Sequence, residues 1–331
     1  MMKTVAMLLD SLKIDTDATA TWIEHWIRET VYTRLKRKGA VVGLSGGIDS
    51  SVVATLCARA LGPQRVLGLL MPEMDSCADS LRLGRLVADT LGIGTAVEDI
   101  TPVLQSLNCY ALRDAAIRSM VPEYGEGYKS KIALPSVFDP AEYAIFSVIV
   151  QSPSGEQIRE RLNAAAYLGI VAATNFKQRT RKMLEYYHAD RLQYAVAGTP
   201  NRLEFELGFF VKNGDGAADL KPIAHLYKTQ VYQLAEYLGV PDEICKRTPT
   251  TDTYSLQQSQ EEFYFSVPLE HMDLCLYARD HQIPAAAVAD ATGMAPDQVA
   301  RVFAGIDAKR KAACYLRSEP LYPAAEVSSA E

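Results

Sequence analysis

The chain has 331 residues, of which 48% are hydrophobic, 22% charged and 8% aromatic, and its formal net charge is −6. This composition excludes a disordered, collagenous or disulfide-scaffold protein, and the length is sufficient for a full core. The negative charge argues against a general nucleic-acid coat. The start of the chain lacks a signal-peptide pattern, and no stretch reaches 18 apolar residues. We therefore expect a soluble, cytoplasmic protein with neither a membrane nor a nucleic-acid partner.

The six cysteines are spread along the chain, and no two lie closer than 20 residues. This spacing excludes the CxxC pairs that are typical of zinc and redox sites. We expect free, mostly buried thiols in a reducing compartment.

Helices and strands are predicted to alternate through the first third of the chain. Apolar residues at three- and four-residue steps predict a helix over 16–38, whose apolar face packs on the core or on a second subunit. Short apolar runs between periodic segments predict strands buried on both faces. The alternation indicates βαβ units, and hence a doubly wound parallel sheet with flanking helices. The predicted elements that follow are strand 40–44, helix 49–61, strand 65–71, helix 80–91 and strand 95–100.

The pattern breaks over 108–155, where we predict an inserted segment containing a hairpin of 131–138 with 143–151, turning through Asp139-Pro140. The remaining predicted elements are helix 156–188, strand 192–197, helix 225–238 and a helical stretch 268–316. The chain thus divides into an N-terminal helical segment (1–39), an α/β domain with the insertion (40–265) and a helical C-terminal extension (266–331).

The most informative stretch lies between the first strand and the next helix. Backbone N–H groups of a glycine turn and the positive end of the following helix bind phosphate oxygens, and serine hydroxyls can donate to the same oxygens. Asp49 would repel a phosphate unless it holds a cation such as Mg²⁺. The stretch has neither the Walker Gly-Lys-Ser/Thr nor the GxGxxG spacing. Its residues are Gly43, Leu44, Ser45, Gly46, Gly47, Ile48, Asp49 and Ser50.

Later segments carry polar residues where a packed core would not. Arg179 and Arg181 lie two apart on a predicted helix, so we expect one to face a site and the other to face solvent. Phe209 and Phe210 are expected in the core rather than in a stacking platform. The segments are NFKQRTR (175–181), GTPNRLE (198–204), GFFVKNGDGAAD (208–219), LYKTQ (226–230) and PTTD (249–252).

Taken in order, SGGIDS (45–50) and these segments resemble the NAD synthetase family, the ammonia-dependent, amide-forming members of the ATP-pyrophosphatase (PP-loop) group. The resemblance runs from about residue 30 to 313 and implies an adenine nucleotide alpha hydrolase-like fold for the α/β domain. It also implies which residues form the site. ATP would be bound by loop 43–50, Thr199, Lys228 and Thr250, and Mg²⁺ by Asp49 and Glu204. The catalytic residues would be Asp49, Lys228 and Thr250, and the acid substrate would be bound by Arg179, Lys212, Asp219 and Lys309.

The reaction implied by the resemblance has two steps. A substrate carboxylate attacks the α-phosphorus of ATP, which gives an acyl adenylate and pyrophosphate, and ammonia then displaces AMP to give the amide. The protein would supply positioning and charge stabilisation rather than a nucleophile. The resemblance implies deamido-NAD as the acid, a homodimer, and ammonia that is free or delivered by a separate glutaminase.

Three departures from the family pattern leave the acid open. The chain has a longer stretch at 108–160, an unusual YSLQQSQEEFY (254–264) after PTTD, and Ala308-Lys309 where the family has a His-Lys pair that touches the dinucleotide. Both a divergent NAD synthetase and a paralogue acting on another carboxylic acid fit this pattern. An RNA-modifying PP-loop enzyme is a remote alternative.

The insertion also suggests a role at the acid pocket. It carries Tyr124, Tyr128, Lys129 and Lys131 beside glycines, which suit a hinged cover for a reactive adenylate. We hypothesise that part of it closes over the acid pocket or completes it across a dimer interface. The alternative is a surface hairpin without a role in the reaction.

Overall fold

A computed structural model describes residues 8, 10–136, 146–251 and 253–322. Its centre is a parallel sheet of four strands, β1 (Ala40–Gly43), β2 (Val66–Leu70), β3 (Gly94–Val97) and β7 (Ala195–Ala197). Their order in the sheet is β3-β2-β1-β7. In register, Ala40 of β1 lies beside Val66 of β2 on one side and beside Ala195 of β7 on the other. The predicted parallel sheet is confirmed.

Helices cover both faces of this sheet. Successive side chains of a strand point to opposite faces, so Val42 packs in one apolar cluster and Val41 in another. The α-helices are α1 (Thr16–Arg28), α2 (Ile48–Leu61), α3 (Ala78–Leu91), α4 (Thr101–Ser106), α5 (Cys109–Arg118), α6 (Ala164–Leu192), α7 (Arg202–Leu207), α8 (Lys228–Tyr237), α9 (Asp242–Cys245), α10 (Leu269–Asp280), α11 (Ala285–Thr292) and α12 (Pro296–Arg317). The first cluster contains residues of α1, α2, α3 and α8, and the second contains residues of α4, α5 and α6.

The insertion and the residues directly after it form a second, antiparallel sheet in the order β4-β5-β6. Lys131 of β4 lies opposite Ile149 of β5, so the predicted pairing of these two strands is confirmed, while the Asp139-Pro140 turn lies outside the described residues. The strands of this sheet are β4 (Lys129–Ala133), β5 (Ser147–Gln151) and β6 (Gln157–Arg161).

One expectation for this region is wrong. The helix predicted from residue 156 begins only at Ala164, because Gln157–Arg161 pair with β5 and the Asn163 side chain caps the helix by accepting from Ala166 N at 2.8 Å. A helix that was not predicted from the sequence, α5 (Cys109–Arg118), also lies in this region and packs against α6.

The predicted helical C-terminus is confirmed as three helices, α10 to α12. They form an apolar cluster that also takes in Leu203 and Leu207 of α7, the helix that follows β7. The C-terminal helices therefore support one wall of the cleft described below. No helix in the described part of the chain is long and apolar enough to cross a membrane.

Candidate active site

The glycine–serine loop joins β1 to α2 at the carboxyl end of the strand. Gly46 has φ +71°, and a Cβ there would lie 2.7 Å from the Ser80 carbonyl oxygen, so this turn requires glycine. Gly47 caps α2, and its carbonyl accepts the hydroxyls of Ser50 and Ser51, each at 2.9 Å. The loop thus presents a helix N-terminus, the feature that favours bound phosphate.

A compact polar cluster lies against this loop. Lys228, fully buried at the start of α8, forms an ion pair with Asp49, and Asn201 Nδ2 donates to the other Asp49 oxygen at 3.0 Å. Glu204 accepts from Asn201 N at 3.2 Å and from Gln260 Nε2 at 2.9 Å. Asn201 therefore connects the two carboxylates that the sequence predicts as a pair.

The local sequence explains how Glu204 reaches this position. Asn201 is the N-cap of α7, and its side chain accepts from Glu204 N at 3.2 Å while Glu204 bonds back to Asn201 N. This reciprocal capping box fixes the carboxylate three residues into the helix, pointing back toward the strand end.

The cluster is short of positive charge. Burial, with the neighbouring Asp49 carboxylate, raises the pKa of Glu204 to about 8, although Lys228 opposes the shift. Burial works against a charged Lys228, but Asp49 and Glu204 outweigh it and hold the lysine pKa above its ordinary value. Two carboxylates share one lysine, so an added cation would be stabilised here.

Lys228 is held from the far side by a residue that the sequence reasoning missed. Asp273 of α10 is fully buried and accepts from Lys228 N at 3.2 Å and from Thr229 N at 2.7 Å. Its carboxylate thereby caps α8, and burial raises its pKa to about 6. An aspartate within the apolar stretch LEHMDLCLYA was the available signal.

Asp49, Glu204 and Lys228 line a cavity of about 770 Å³ that holds most of the predicted site. Gly46 shapes the turn without lining the cavity, and Asp252 of PTTD lies outside the described residues. Phe209 and Phe210, expected in the core, are half-buried and line the cavity. The predicted residues in the lining are Gly43, Leu44, Ser45, Gly47, Ile48, Asp49, Ser50, Arg179, Thr199, Glu204, Lys212, Lys228 and Thr250.

Both arginines of the NFKQRTR helix line the cavity, so the expectation that only one of them faces a site is wrong, although Arg179 is also exposed to solvent. Arg179 Nε donates to the Lys212 carbonyl at 3.3 Å, and Arg181 Nε donates to the Met71 carbonyl at 3.3 Å. The long arginine side chains bring both guanidinium groups to the cavity from diverging positions on α6. Lys212 itself donates to Tyr315 O at 2.9 Å, which ties it to α12.

Asp219 and Lys309 lie outside the lining formed by the described residues. Asp219 is exposed and accepts from Val196 N at 2.8 Å. Lys309 donates to the Tyr264 carbonyl at 2.6 Å and stands over the Tyr264 ring, which does line the cavity. Burial lowers the Lys309 pKa to about 8. Their contact with the acid substrate stays a prediction.

A second buried ionic cluster supports the cleft, and the sequence reasoning missed it. Lys177 of α6 is fully buried and donates to Glu73 at 2.9 Å, to Asp75 at 2.6 Å and to the Thr253 carbonyl at 2.7 Å. Arg113 of α5 also pairs with Asp75. The cluster joins the segment after β2 to the segment that carries Thr250. Lys177 lies within the NFKQR motif, so a signal was present.

Parallel strands, a glycine–serine loop at the end of β1 and a carboxylate pair beside a buried lysine define a nucleotide-binding α/β enzyme. The family model described as NAD synthase matches residues 19–123 and 150–312. The chain belongs to the NAD synthase family.

Individual relatives agree with this assignment. The chain is 57% identical to the NH3-dependent NAD(+) synthetase of Mesorhizobium japonicum over 310 residues, covering 94% of this chain and 97% of the relative. Two solved structures share the fold. One is NMN synthetase from Francisella tularensis (TM-score 0.65, 22% identity, 94% and 99% coverage). The other is NH3-dependent NAD synthetase from Campylobacter jejuni (TM-score 0.61, 21% identity, 94% and 100% coverage).

Proposed function

We propose that this chain is an ATP-dependent amide ligase that converts deamido-NAD and ammonia to NAD, releasing AMP and pyrophosphate. The observation that carries the proposal is the buried Asp49–Asn201–Glu204–Lys228 cluster at the glycine–serine loop of an NAD synthase family chain. The chain supplies backbone donors, one buried ammonium and paired carboxylates. These groups suit charge stabilisation during phosphoryl transfer.

The first step joins the acid to the nucleotide. One carboxylate oxygen of the acid forms a bond to the α-phosphorus of ATP, and the bond from that phosphorus to the bridging oxygen of pyrophosphate breaks. We assign loop 43–50, Thr199 and Thr250 to holding the triphosphate. Lys228 is assigned to the charge that grows on the leaving pyrophosphate, since its buried ammonium lies beside the loop.

Mg²⁺ is part of this proposal, and the donor set fits it. The Glu204 pKa of about 8 marks an enclosed carboxylate beside a second one, a position that favours a bound cation. No group of three or more acidic, histidine or cysteine side chains in the described ranges could hold a metal, so Asp49 and Glu204 would act together with phosphate oxygens. The ion would supply Lewis-acid polarisation of the phosphate oxygens.

In the second step, neutral ammonia attacks the acyl carbon, AMP leaves with the oxygen that came from the acid, and ammonia loses a proton. The adenylate must be kept from water, and α6, residues 208–213, residues 249–251 and residues 253–264 contribute walls of the cavity. The proposal assigns Arg179, Lys212, Asp219 and Lys309 to the acid, as the family resemblance implies.

The remaining parts of the proposal also rest on that resemblance. We assign the enzyme to the cytoplasm as a homodimer, with ammonia that is free or comes from a separate glutaminase. We further propose that residues 40–265 are the synthetase domain, flanked by the helical segments 1–39 and 266–331.

Deamido-NAD is favoured over another carboxylic acid by the 57% identity to a named NAD(+) synthetase across 94% of this chain. The test is pyrophosphate release from ATP with ammonium present, measured for deamido-NAD and for a panel of acids that includes nicotinic acid mononucleotide. We expect deamido-NAD to give the highest kcat/KM. A higher kcat/KM for another acid would show that this acid is the substrate, with the adenylation chemistry unchanged. Pyrophosphate release with no acid present would overturn both the proposed substrate and the proposed chemistry.

A further inference from the structure

Part of the cavity wall lies outside the family match. Residues 124–149 are not matched by the NAD synthase model, and in the structure they contain β4 and most of β5. Phe146, which comes directly before β5, lines the cavity. The insertion therefore contributes a side chain to the site itself.

The inserted sheet is fixed to the body of the enzyme. Val148 and Val150 of β5 are fully buried in an apolar cluster with Ile117 of α5 and Ile170 of α6. This packing holds the sheet against α5 and α6 and thereby positions the residues at the ends of its strands.

A second set of contacts ties the sheet to residues 254–264. Leu256 N donates to Ser130 O at 3.1 Å, Leu134 N donates to Glu262 O at 3.1 Å, and Lys131 Nζ lies 2.7 Å from Glu262 Oε1. Lys131 is used in this contact, and among the described residues neither Lys129 nor Lys131 lines the cavity.

Aromatic rings from three parts of the chain meet at this wall. Phe146 of the insertion stacks on Tyr167 of α6 with ring centroids 4.5 Å apart and planes 21° apart. Phe263 lies 6.3 Å from the Phe146 centroid. All three rings are half-buried and line the cavity. Half-buried rings that edge a cavity leave π surface available to a flat ligand.

The position of this aromatic wall along α6 suggests which ligand it meets. Tyr167 and Arg179 line the same cavity and are 12 residues apart on α6, about 18 Å at the helical rise of about 1.5 Å per residue. Val171, Thr174 and Gln178 line the cavity between them. A dinucleotide carries two flat rings joined by a flexible, doubly charged linker, and it can extend over this length.

We infer that the inserted segment gives the acid site a ring-binding wall, in which Phe146, stacked on Tyr167, takes a planar heteroaromatic ring of the acid substrate. The inference rests on the proposed function. It makes Phe146, which lies outside the residues matched by the family model, a specificity residue for the acid. ATP is held by the loop and the charged cluster, so its binding does not depend on Phe146.

The test compares Phe146→Leu with Phe146→Tyr and Val148→Ala. Leucine keeps apolar volume but removes the ring, tyrosine keeps the ring, and Val148→Ala loosens the same sheet without changing the cavity lining. Stacking of a base on an aromatic side chain is strong enough that its loss should raise the KM for deamido-NAD about tenfold or more. We expect an unchanged KM for ATP, near wild-type behaviour of Phe146→Tyr, and a lower Tm without a KM effect for Val148→Ala.

Two results would overturn the inference. One is a wild-type KM for deamido-NAD in Phe146→Leu, and the other is an equal rise in the KM for ATP. If the wild-type enzyme does not turn over deamido-NAD, the proposed function has failed instead, so the two failures are distinguishable.

Discussion

Glu204→Gln tests whether the carboxylate pair is a cation site. In the cation-free protein, burial and the neighbouring Asp49 carboxylate raise the pKa of Glu204 to about 8, so its neutral form predominates at pH 7. Glutamine matches that neutral form in shape and charge. We therefore expect the variant to fold normally and to melt near the wild-type Tm when no Mg²⁺ is present.

The difference should emerge when Mg²⁺ is added. A ligand at 100 times its Kd stabilises a protein by about 2.7 kcal/mol, which for a chain of this size corresponds to a Tm increase of roughly 4 °C. Because Glu204 must lose its proton to bind a cation, Mg²⁺ affinity should rise with pH, by at most about tenfold per unit, up to about pH 8. Glu204→Gln should lose both the Tm increase and this pH dependence.

Turnover should fall on the order of 10²-fold or more, from the several kcal/mol that a metal ion contributes. Asp49→Asn should show the same loss. The assays are thermal unfolding with and without Mg²⁺ and steady-state pyrophosphate release, with circular dichroism to verify folding. Glu270→Gln, which removes an exposed carboxylate on α10, is the matched control. Near wild-type turnover with an unchanged Mg²⁺ response in both site variants would refute the metal assignment.

Other residues of the cleft give further predictions. Lys228→Ala should slow isotope exchange between pyrophosphate and ATP on the order of 10²-fold, because one preorganised donor is worth about 3 kcal/mol. The KM for the acid should change little, and an unaltered exchange rate would contradict the role assigned to Lys228. Burial raises the Asp273 pKa from 3.8 to about 6, so the folded protein binds the extra proton and this group's contribution to stability falls as pH rises between about 4 and 6. Asp273→Asn should flatten that part of the unfolding free energy against pH, by up to about 1.4 kcal/mol per unit, in denaturant titrations, and an unchanged slope would contradict the shift. Gly46→Ala should raise the KM for ATP, because its Cβ would meet the Ser80 carbonyl at 2.7 Å, whereas Gly239→Ala, at a similar φ with open space around it, should cost only stability.

Strands β1, β2 and β7 of the parallel sheet could be predicted because they are buried on both faces and therefore read as short apolar runs, whereas the edge strand β3 is mostly exposed. Strand β6 could not be predicted from its own sequence. Gln157–Arg161 is mostly polar and exposed, and it is a strand because its backbone pairs with β5. Local sequence does not display a pairing partner, so the helical pattern further along was extended too far.

The site follows the same division. The glycine–serine loop, Glu204 and Lys228 lie in motifs whose residue types state their chemistry. Asp273 and Lys177 act through contacts with residues 45 and about 100 positions away. Such contacts depend on the tertiary fold, so the sequence showed only that a charged residue lay in an apolar or helical setting.

The most direct test of the account follows one oxygen atom. Deamido-NAD labelled with heavy oxygen in its carboxylate is converted with ATP and ammonium, and AMP and pyrophosphate are examined by mass spectrometry. If the carboxylate attacks the α-phosphorus, each AMP formed carries one labelled oxygen and the pyrophosphate carries none. Label in pyrophosphate, or AMP without label while NAD is formed, would contradict adenylation of the acid.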